Sequence, residues 1–304
     1  MRRVLLLGAG GQLGMQLARR LGGLPHGEFE LTALTRAEVD FSDAGVLRAA
    51  IQKAGPEIVI NAAAYTAVDK AEQEQELARL VNAVAPGVIS EELAKTNGWL
   101  IHYSTDYVFE GSGSEPWRES DRTGPLSVYG RTKLDGELAI ASAGCRHVIL
   151  RTSWVYAAEG KNFLHTMLRL GRERDQLKIV DDQIGAPTTA EAITEASLAV
   201  LRQLAAAGED RSASGVYHLT CAGATSWCGF ARSIFAAFAA QQKAPEVIGI
   251  PTEAYPTPAK RPRNSRLNGE KFIRQFGFRM PEWESALTDV ANAMLFRKDA
   301  DSAS

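Results

Sequence analysis

Tyr129 and Lys133 stand four positions apart in the run PLSVYGRTKLDGE. On a helix this spacing stacks the two side chains on one face, one turn apart. A tyrosine hydroxyl ordinarily keeps its proton to a pKa of about 10. An adjacent ammonium favours the phenolate and lowers that value. The chemistry to expect is proton donation from Tyr129 to a carbonyl oxygen while hydride arrives on the carbon. The competing reading is structural, with Tyr129 packed and Lys133 solvated. A Tyr-x-x-x-Lys pair arises easily by chance, so its surroundings must decide.

Residues 129–138 read as a helix, with Leu134 and Leu138 one turn apart on an apolar stripe. Ahead of it lie short apolar runs at 4–7, 31–34, 58–60 and 99–103, with another behind it at 148–150. Such runs suit strands buried on both faces of a parallel sheet. The first meets Gly8-Ala9-Gly10-Gly11-Gln12-Leu13-Gly14 and then a helical pattern through Leu17 and Leu21. Strand, glycine turn and helix together point to a dinucleotide site. Gly8 would make the tight turn, Gly11 would admit a pyrophosphate, and Gly14 would let helix and strand close up. Gly10 permits a second register, shifted within the same turn.

Thr35-Arg36 follows the second strand, where a carboxylate would hold a ribose diol. An arginine there suits a 2′-phosphate and favours NADPH over NADH; the alternative is a surface arginine. Asp40 and Phe41 could bond and flank an adenine. Ala63, Ala64 and Tyr65 follow the third strand, where small residues leave room for a cofactor. Residues 72–94 read as helical, with Pro86 marking a boundary or first turn. Residues 110–125 form a Gly/Ser/Pro-rich loop over the carboxyl edge of the sheet.

This alternation predicts an α/β, Rossmann-type, doubly wound parallel sheet over residues 1–155. After residue 154 the pattern loosens: helices at 162–170 and 190–207, strands at 177–180 and 216–220. Residues 156–304 are expected to form mainly a smaller C-terminal substrate-binding domain, while segments around 185–220 rejoin the sheet.

Net charge is -2 across 304 residues, which gives no general attraction to nucleic acid or anionic membrane. No stretch approaches the ~20 apolar residues of a membrane helix. The apolar run before Gly8 is too short for a secretion signal. Three unpaired-looking cysteines (Cys145, Cys221, Cys228) suit a reducing cytoplasm.

Several blocks in order resemble the extended short-chain dehydrogenase/reductase family: NAAAYTAVDKAE from Asn61, HYSTDYVFEG from His102, PLSVYGRTKLDGE, and RTSWVYA from Arg151. DQIGAPT from Asp182 and YPTPAKRPRNSRL from Tyr255 extend the resemblance over essentially the full length. It implies NAD(P)H-dependent reduction of the 4-keto group of dTDP-4-dehydro-L-rhamnose. Tyr129 would be the proton donor, and Lys133 would lower its pKa and hold the nicotinamide ribose. Thr105 would offer a hydroxyl to the keto oxygen, and Asp106 and Trp154 would touch the sugar nucleotide. Gly11, Gln12, Leu13, Asp40, Phe41, Ala64, Tyr65, Thr66 and Tyr103 match cofactor-contacting positions.

Two hydroxyls aimed at one developing charge act as an oxyanion hole does. A sugar diphosphate also needs cations, and Arg261, Arg263 and Arg266 are candidates, against the alternative of a solvated basic turn. Some members hold an interface Mg2+ between glutamates. Glu191 matches one ligand position but Gln16 stands at another, so no catalytic metal is expected and a metal-linked dimer is disfavoured. A homodimer stays compatible with the sequence. Two other functions remain open: reduction of a different nucleotide 4-keto-sugar, and a non-catalytic cofactor-binding regulatory subunit resembling that of methionine adenosyltransferase. A binding module has no chemical need for Thr105, Tyr129 and Lys133 together.

Overall fold

Six of the short apolar runs assemble one parallel sheet. A computed structural model of the chain describes residues 2–25, 27–208 and 210–302. Its strands are β1 (Arg2–Leu7), β2 (Phe29–Leu34), β3 (Ile58–Asn61), β4 (Trp99–Thr105), β5 (Arg146–Thr152) and β6 (Gly215–His218). Their order is β6-β5-β4-β3-β1-β2, and every pairing is parallel. The expected return of the chain to the sheet near residue 216 is therefore met by β6 beside β5. The order reverses between β1 and β3, which opens a crevice at the carboxyl ends of those strands.

The helices that position the site are α1 (Gln12–Gly22), α2 (Ala44–Ala54), α3 (Ala85–Thr96) and α4 (Val128–Ala143). Later come α5 (Phe163–Glu173), α6 (Ala190–Ala206), α7 (Trp227–Ala237) and α8 (Trp283–Ser302). Alternation along the strands divides the core in two. Val4, Leu6, Ile58, Ile60 and Ile101 face α1 and α6. Leu5, Leu7, Val59, Leu100 and Ile149 face α2, α3 and α4. Each such side chain taken out of water contributes roughly 1.5–3 kcal/mol, so this double burial fixes the register of the sheet.

Residues 72–94 do not form one regular helix. Helix Gln75–Arg79 runs into a π turn, Leu80–Val84, before α3 begins with Pro86 in its first turn. Pro86 has no N–H for the carbonyl of Asn82 four residues back. That carbonyl instead faces Gly136 on α4, where a Cβ would sit 2.1 Å from it. The predicted stripe on α4 is also corrected: Leu134 packs against Val108 and Phe109, but Leu138 points to solvent.

In the C-terminal half, the strand Gln176–Val180 pairs in parallel with Glu246–Ile250. α5 and α7 cover this pair, and their apolar side chains join the core on the α1 and α6 side of the sheet. Among the described residues no helix is long and apolar enough to cross a membrane, and the three cysteines are buried and unbonded.

Candidate active site

The glycine turn after β1 and the Ala62–Tyr65 stretch after β3 form the walls of the switch-point crevice, a cleft of about 400 Å³. Gly8 has φ +82°, and a Cβ on Gly14 would lie 2.0 Å from the Gly8 carbonyl. Both glycines are thus required for α1 to start so close to β1. A Cβ on Gly10 would meet only Thr35, at 3.8 Å, and one on Gly11 only the Gly8 carbonyl, at 3.5 Å, so the close approach requires Gly8 and Gly14 alone. Gly11 caps α1, so the positive end of that helix opens on the crevice.

Arg36, Asp40, Phe41, Ala63, Ala64 and Tyr65 line the same cleft. Glu38, the nearby carboxylate, is already held by the Thr35 N–H and hydroxyl, both at 2.8 Å. Hydrogen bonds from Ser42 hold the Asp40 carboxyl below the ordinary range, ahead of the smaller effect of Arg36. The Tyr65 hydroxyl donates to Glu74 at 2.5 Å.

Gln12, Leu13, Thr66 and Tyr103 do not line this cleft. Gln12 bridges to the 157–162 loop, donating to the Lys161 carbonyl and accepting from Asn162 at 2.8 Å. Leu13 packs against the core, and Thr66 is exposed. The Tyr103 ring lies on the α6 side with its hydroxyl 2.6 Å from Ser197, so only its backbone carbonyl faces the site.

Tyr129 and Lys133 do share a face, near the start of α4. Ser127 caps that helix by accepting from the Gly130 N–H at 3.2 Å. A Cβ on Gly130 would lie 2.2 Å from the Tyr107 carbonyl, so glycine at this position lets α4 close onto the turn Asp106–Val108. The Tyr129 ring meets the Tyr107 ring edge-on at 5.5 Å. Its hydroxyl is near enough to Thr105 for that side chain to lower its pKa, while Thr105 donates to Asp106 Oδ1 at 3.0 Å and accepts from the Tyr107 N–H.

Lys133 Nζ donates to the Tyr103 carbonyl at 2.6 Å and lies 3.3 Å from His102 Nε2. The net shift of the Tyr129 hydroxyl is upward, and Lys133 is not among the groups that set it. Burial pushes the Tyr129 hydroxyl up to about 12, Thr105 lowers it, and Asp106 raises it again. Lys133 is itself drawn down to about 8 by burial, which Glu137 partly opposes. Burial raises Asp106 to about 6, and its Oδ2 has no hydrogen-bond partner.

On the facing side, Trp154 takes a left-handed backbone conformation at φ +49°. It stacks on Trp227 with centroids 3.7 Å apart, and its ring lies over Gly185. Arg261 is paired with Asp69 at 2.8 Å, and its guanidinium acts on the same Tyr107 that abuts Tyr129. Arg263 pairs with Glu253 and Asp182, while Arg266 donates to Asn264. Arg261 is thus the one of the three tied to the tyrosine cluster.

A cleft of about 520 Å³ between α1, α6 and α8 contains Gln16 and Glu191. Among the described residues no group of three His, Cys, Asp or Glu side chains could hold a metal.

Beneath the site lie residues to which the sequence assigned no role. Arg151 and Glu137 form a buried pair at 2.7 Å, and Ser104 donates to Glu137 at 2.5 Å. Asn61 and His102 join them, both buried. Only Glu137 had a local signal, one helical turn beyond Lys133.

A parallel sheet whose switch-point crevice faces a Tyr-x-x-x-Lys helix defines a Rossmann-type protein of the short-chain dehydrogenase/reductase kind. The family described as RmlD substrate binding domain matches residues 1–296, and the chain belongs to that family. The dTDP-4-dehydrorhamnose reductase of Salmonella typhimurium is 46% identical over 296 residues, covering 96% of this chain and 97% of that protein. The enzyme of the same name from Burkholderia thailandensis is 45% identical, covering 94% and 96%. The crystal structure of dTDP-4-dehydrorhamnose reductase from Bacillus anthracis in complex with NADP superposes with a TM-score of 0.85 at 33% identity, covering 95% of this chain and 98% of that one.

Proposed function

We propose that the chain reduces the 4-keto group of dTDP-4-dehydro-L-rhamnose to dTDP-L-rhamnose, using NADPH in preference to NADH. The observation that carries this reading is the convergence of Thr105, at the carboxyl end of β4, with Tyr129 and Lys133 on α4, where Thr105 acts on the Tyr129 hydroxyl and Lys133 is anchored on the Tyr103 carbonyl. The crevice fits a dinucleotide: a Gly8–Gly14 contact with no room for a Cβ, a helix N-terminus, and a cleft reaching to Arg36. Arg36 supports the NADPH preference, because the neighbouring Glu38 and Asp40 already have partners. The bound dihydronicotinamide supplies the hydride.

Tyr129 donates its proton to the keto oxygen as the C–H bond forms, and a hydroxyl protonated up to about 12 is fully loaded at neutral pH. Turning its hydroxyl from Asp106 Oδ1, Thr105 donates a second hydrogen bond to the same oxygen. Lys133 holds a positive charge near the developing tyrosinate. Asp106 Oδ2, buried and partnerless, offers an acceptor for a sugar hydroxyl. Trp154 covers a sugar face, and Arg261 serves the diphosphate. On this reading the C-terminal elements form the smaller, substrate-binding unit.

We assign no metal to the reaction. Gln16 offers only a neutral amide where an interface site would need carboxylate, so a homodimer would form without Mg2+. Both proposed reactants are multiply charged and do not cross a bilayer unaided, which supports a reaction confined to the compartment that makes them, the cytoplasm on this reading.

The test is NADPH oxidation with enzymatically prepared dTDP-4-dehydro-L-rhamnose, with NADH run in parallel. Tyr129→Phe should bind NADPH normally and lose ~10²–10⁴ in kcat. No turnover from protein that binds NADPH, or an unchanged rate in the variant, would overturn the assignment.

A further inference from the structure

Behind Lys133 runs a buried chain of polar groups. It starts at the cofactor crevice, where the Ala63 N–H donates to Asn61 Oδ1 at 3.1 Å. Asn61 Nδ2 lies 3.1 Å from His102 Nδ1, and His102 Nε2 lies 3.3 Å from Lys133 Nζ. His102 is fully buried and Lys133 nearly so, at 1% exposure, so water cannot repair a mismatch in this chain.

Donor and acceptor identities then settle in sequence. A backbone N–H can only donate, so Ala63 fixes the Asn61 oxygen toward itself and the amide NH2 toward the imidazole. Nδ1 must accept that bond, which leaves the proton of a neutral imidazole on Nε2. This N–H points at Lys133 Nζ. An ammonium has no lone pair to receive it, whereas a neutral amine does. The opposite tautomer would require the Asn61 amide to turn its NH2 against the Ala63 N–H, placing two buried donors face to face.

We propose that His102, locked by Asn61 in the Nε2–H tautomer, is a positioning residue that stabilises the amine form of Lys133. The lysine is thereby poised to give up a proton. This rests on the reductase reading of the site, in which Tyr129 loses a proton at each turnover and must regain one. Lys133 can supply it: an N–H bond of the ammonium breaks, the tyrosine O–H re-forms, the amine left behind accepts from His102, and solvent returns a proton to Nζ before the next turnover. Its second anchor, the Tyr103 carbonyl, is satisfied by either form.

The other groups around the lysine do not supply this preference. Glu137, one turn along α4, favours the ammonium, and Arg151 on β5 takes up that carboxylate. The state of the imidazole agrees, since burial first and Lys133 second hold His102 well below its ordinary pKa. The chain also ties Lys133 to the Ala63 N–H, which belongs to a wall of the cofactor cleft.

The deciding measurement is the tautomer of His102 in the intact enzyme. It is read from long-range 1H–15N spectra of protein labelled at histidine, and its signal is identified by its loss in His102→Gln. The expected result is a non-titrating imidazole with the proton on Nε2 across pH 5 to 9. A proton on Nδ1, or an imidazolium at neutral pH, overturns the proposal.

Asn61→Asp supplies the second arm. Its carboxylate keeps the Ala63 bond but accepts from Nδ1–H, turning Nε2 into an acceptor for the ammonium. The spectrum should switch to the Nδ1–H form, and the alkaline limb of kcat/KM should rise by about one pH unit or more. A superimposable pH profile with a switched tautomer also counts against the proposal. Absence of turnover with any keto-sugar leaves the spectra readable and counts against the reductase reading alone.

Discussion

Asp106→Asn should make the protein more stable at pH 8 and much less so at pH 5. The Asp106 carboxyl is 2% exposed, and burial raises it from 3.8 to about 6, with hydroxyl bonds from Ser265 and Thr105 offsetting part of the cost. Ionising it in the fold therefore costs about 3 kcal/mol more than in the unfolded chain. The sign follows from proton counting. Between pH 3.8 and about 6 the native state binds more protons than the unfolded state, so this group's contribution to stability falls as pH rises through that window. Above it, the penalty is fully present.

Asparagine removes the charge and keeps an oxygen for the Thr105 hydroxyl, but forfeits about 1 kcal/mol of charge-assisted bonding. The net gain expected at pH 8 is about 2 kcal/mol. From pH 8 to pH 5 this advantage should shrink by about 1.4 kcal/mol as the parent carboxyl takes up its proton. Urea unfolding of parent and variant at pH 8, 7, 6 and 5 measures the difference directly. A variant no more stable at pH 8, or a difference that ignores pH, refutes the account of a penalised carboxylate held for substrate. Turnover should fall in the same variant.

Arg36→Asp should raise the KM for NADPH far more than that for NADH; equal effects would reject a 2′-phosphate contact. Gly130→Ala should destabilise the fold by the ~1–3 kcal/mol of an overpacked contact, because the new Cβ would stand 2.2 Å from the Tyr107 carbonyl. Unaltered urea unfolding would show that α4 does not press on that turn. Glu137→Gln strands the buried Arg151 guanidinium and should cost about 3 kcal/mol, with much of that recovered when Arg151→Met is added. A double variant as unstable as the single one would show the pair is not the cause.

Local chemistry made half of the architecture readable. β1, β3, β4 and β5 are buried on both faces and so appear as unbroken apolar runs, and the glycine turn advertises itself by residue type. The strand Glu246–Ile250 does not, because it pairs with residues some 70 positions away and is only partly buried. Helical periodicity placed Tyr129 beside Lys133 correctly but misjudged Leu138, whose face of α4 turns to solvent. The upward shift of the tyrosine pKa was hidden for a related reason: spacing reveals a neighbouring lysine but not the burial that dominates the shift. Asn61 and His102 each look like a strand residue, and they meet only because β3 and β4 are paired in register.

The pairing of Arg261 with Asp69 spans 192 positions of sequence. Closing so long a loop costs entropy before the contact returns anything, so such contacts form late in folding. At synthesis rates of ~5–20 residues per second, about 10 to 40 s separate the appearance of these two side chains. The glycine turn, β1, β3 and the Tyr129 helix have all emerged by then. The nascent chain can therefore shape its dinucleotide crevice while the wall bearing Arg261 does not yet exist, and a cofactor taken up early would brace the sheet on which that wall must dock.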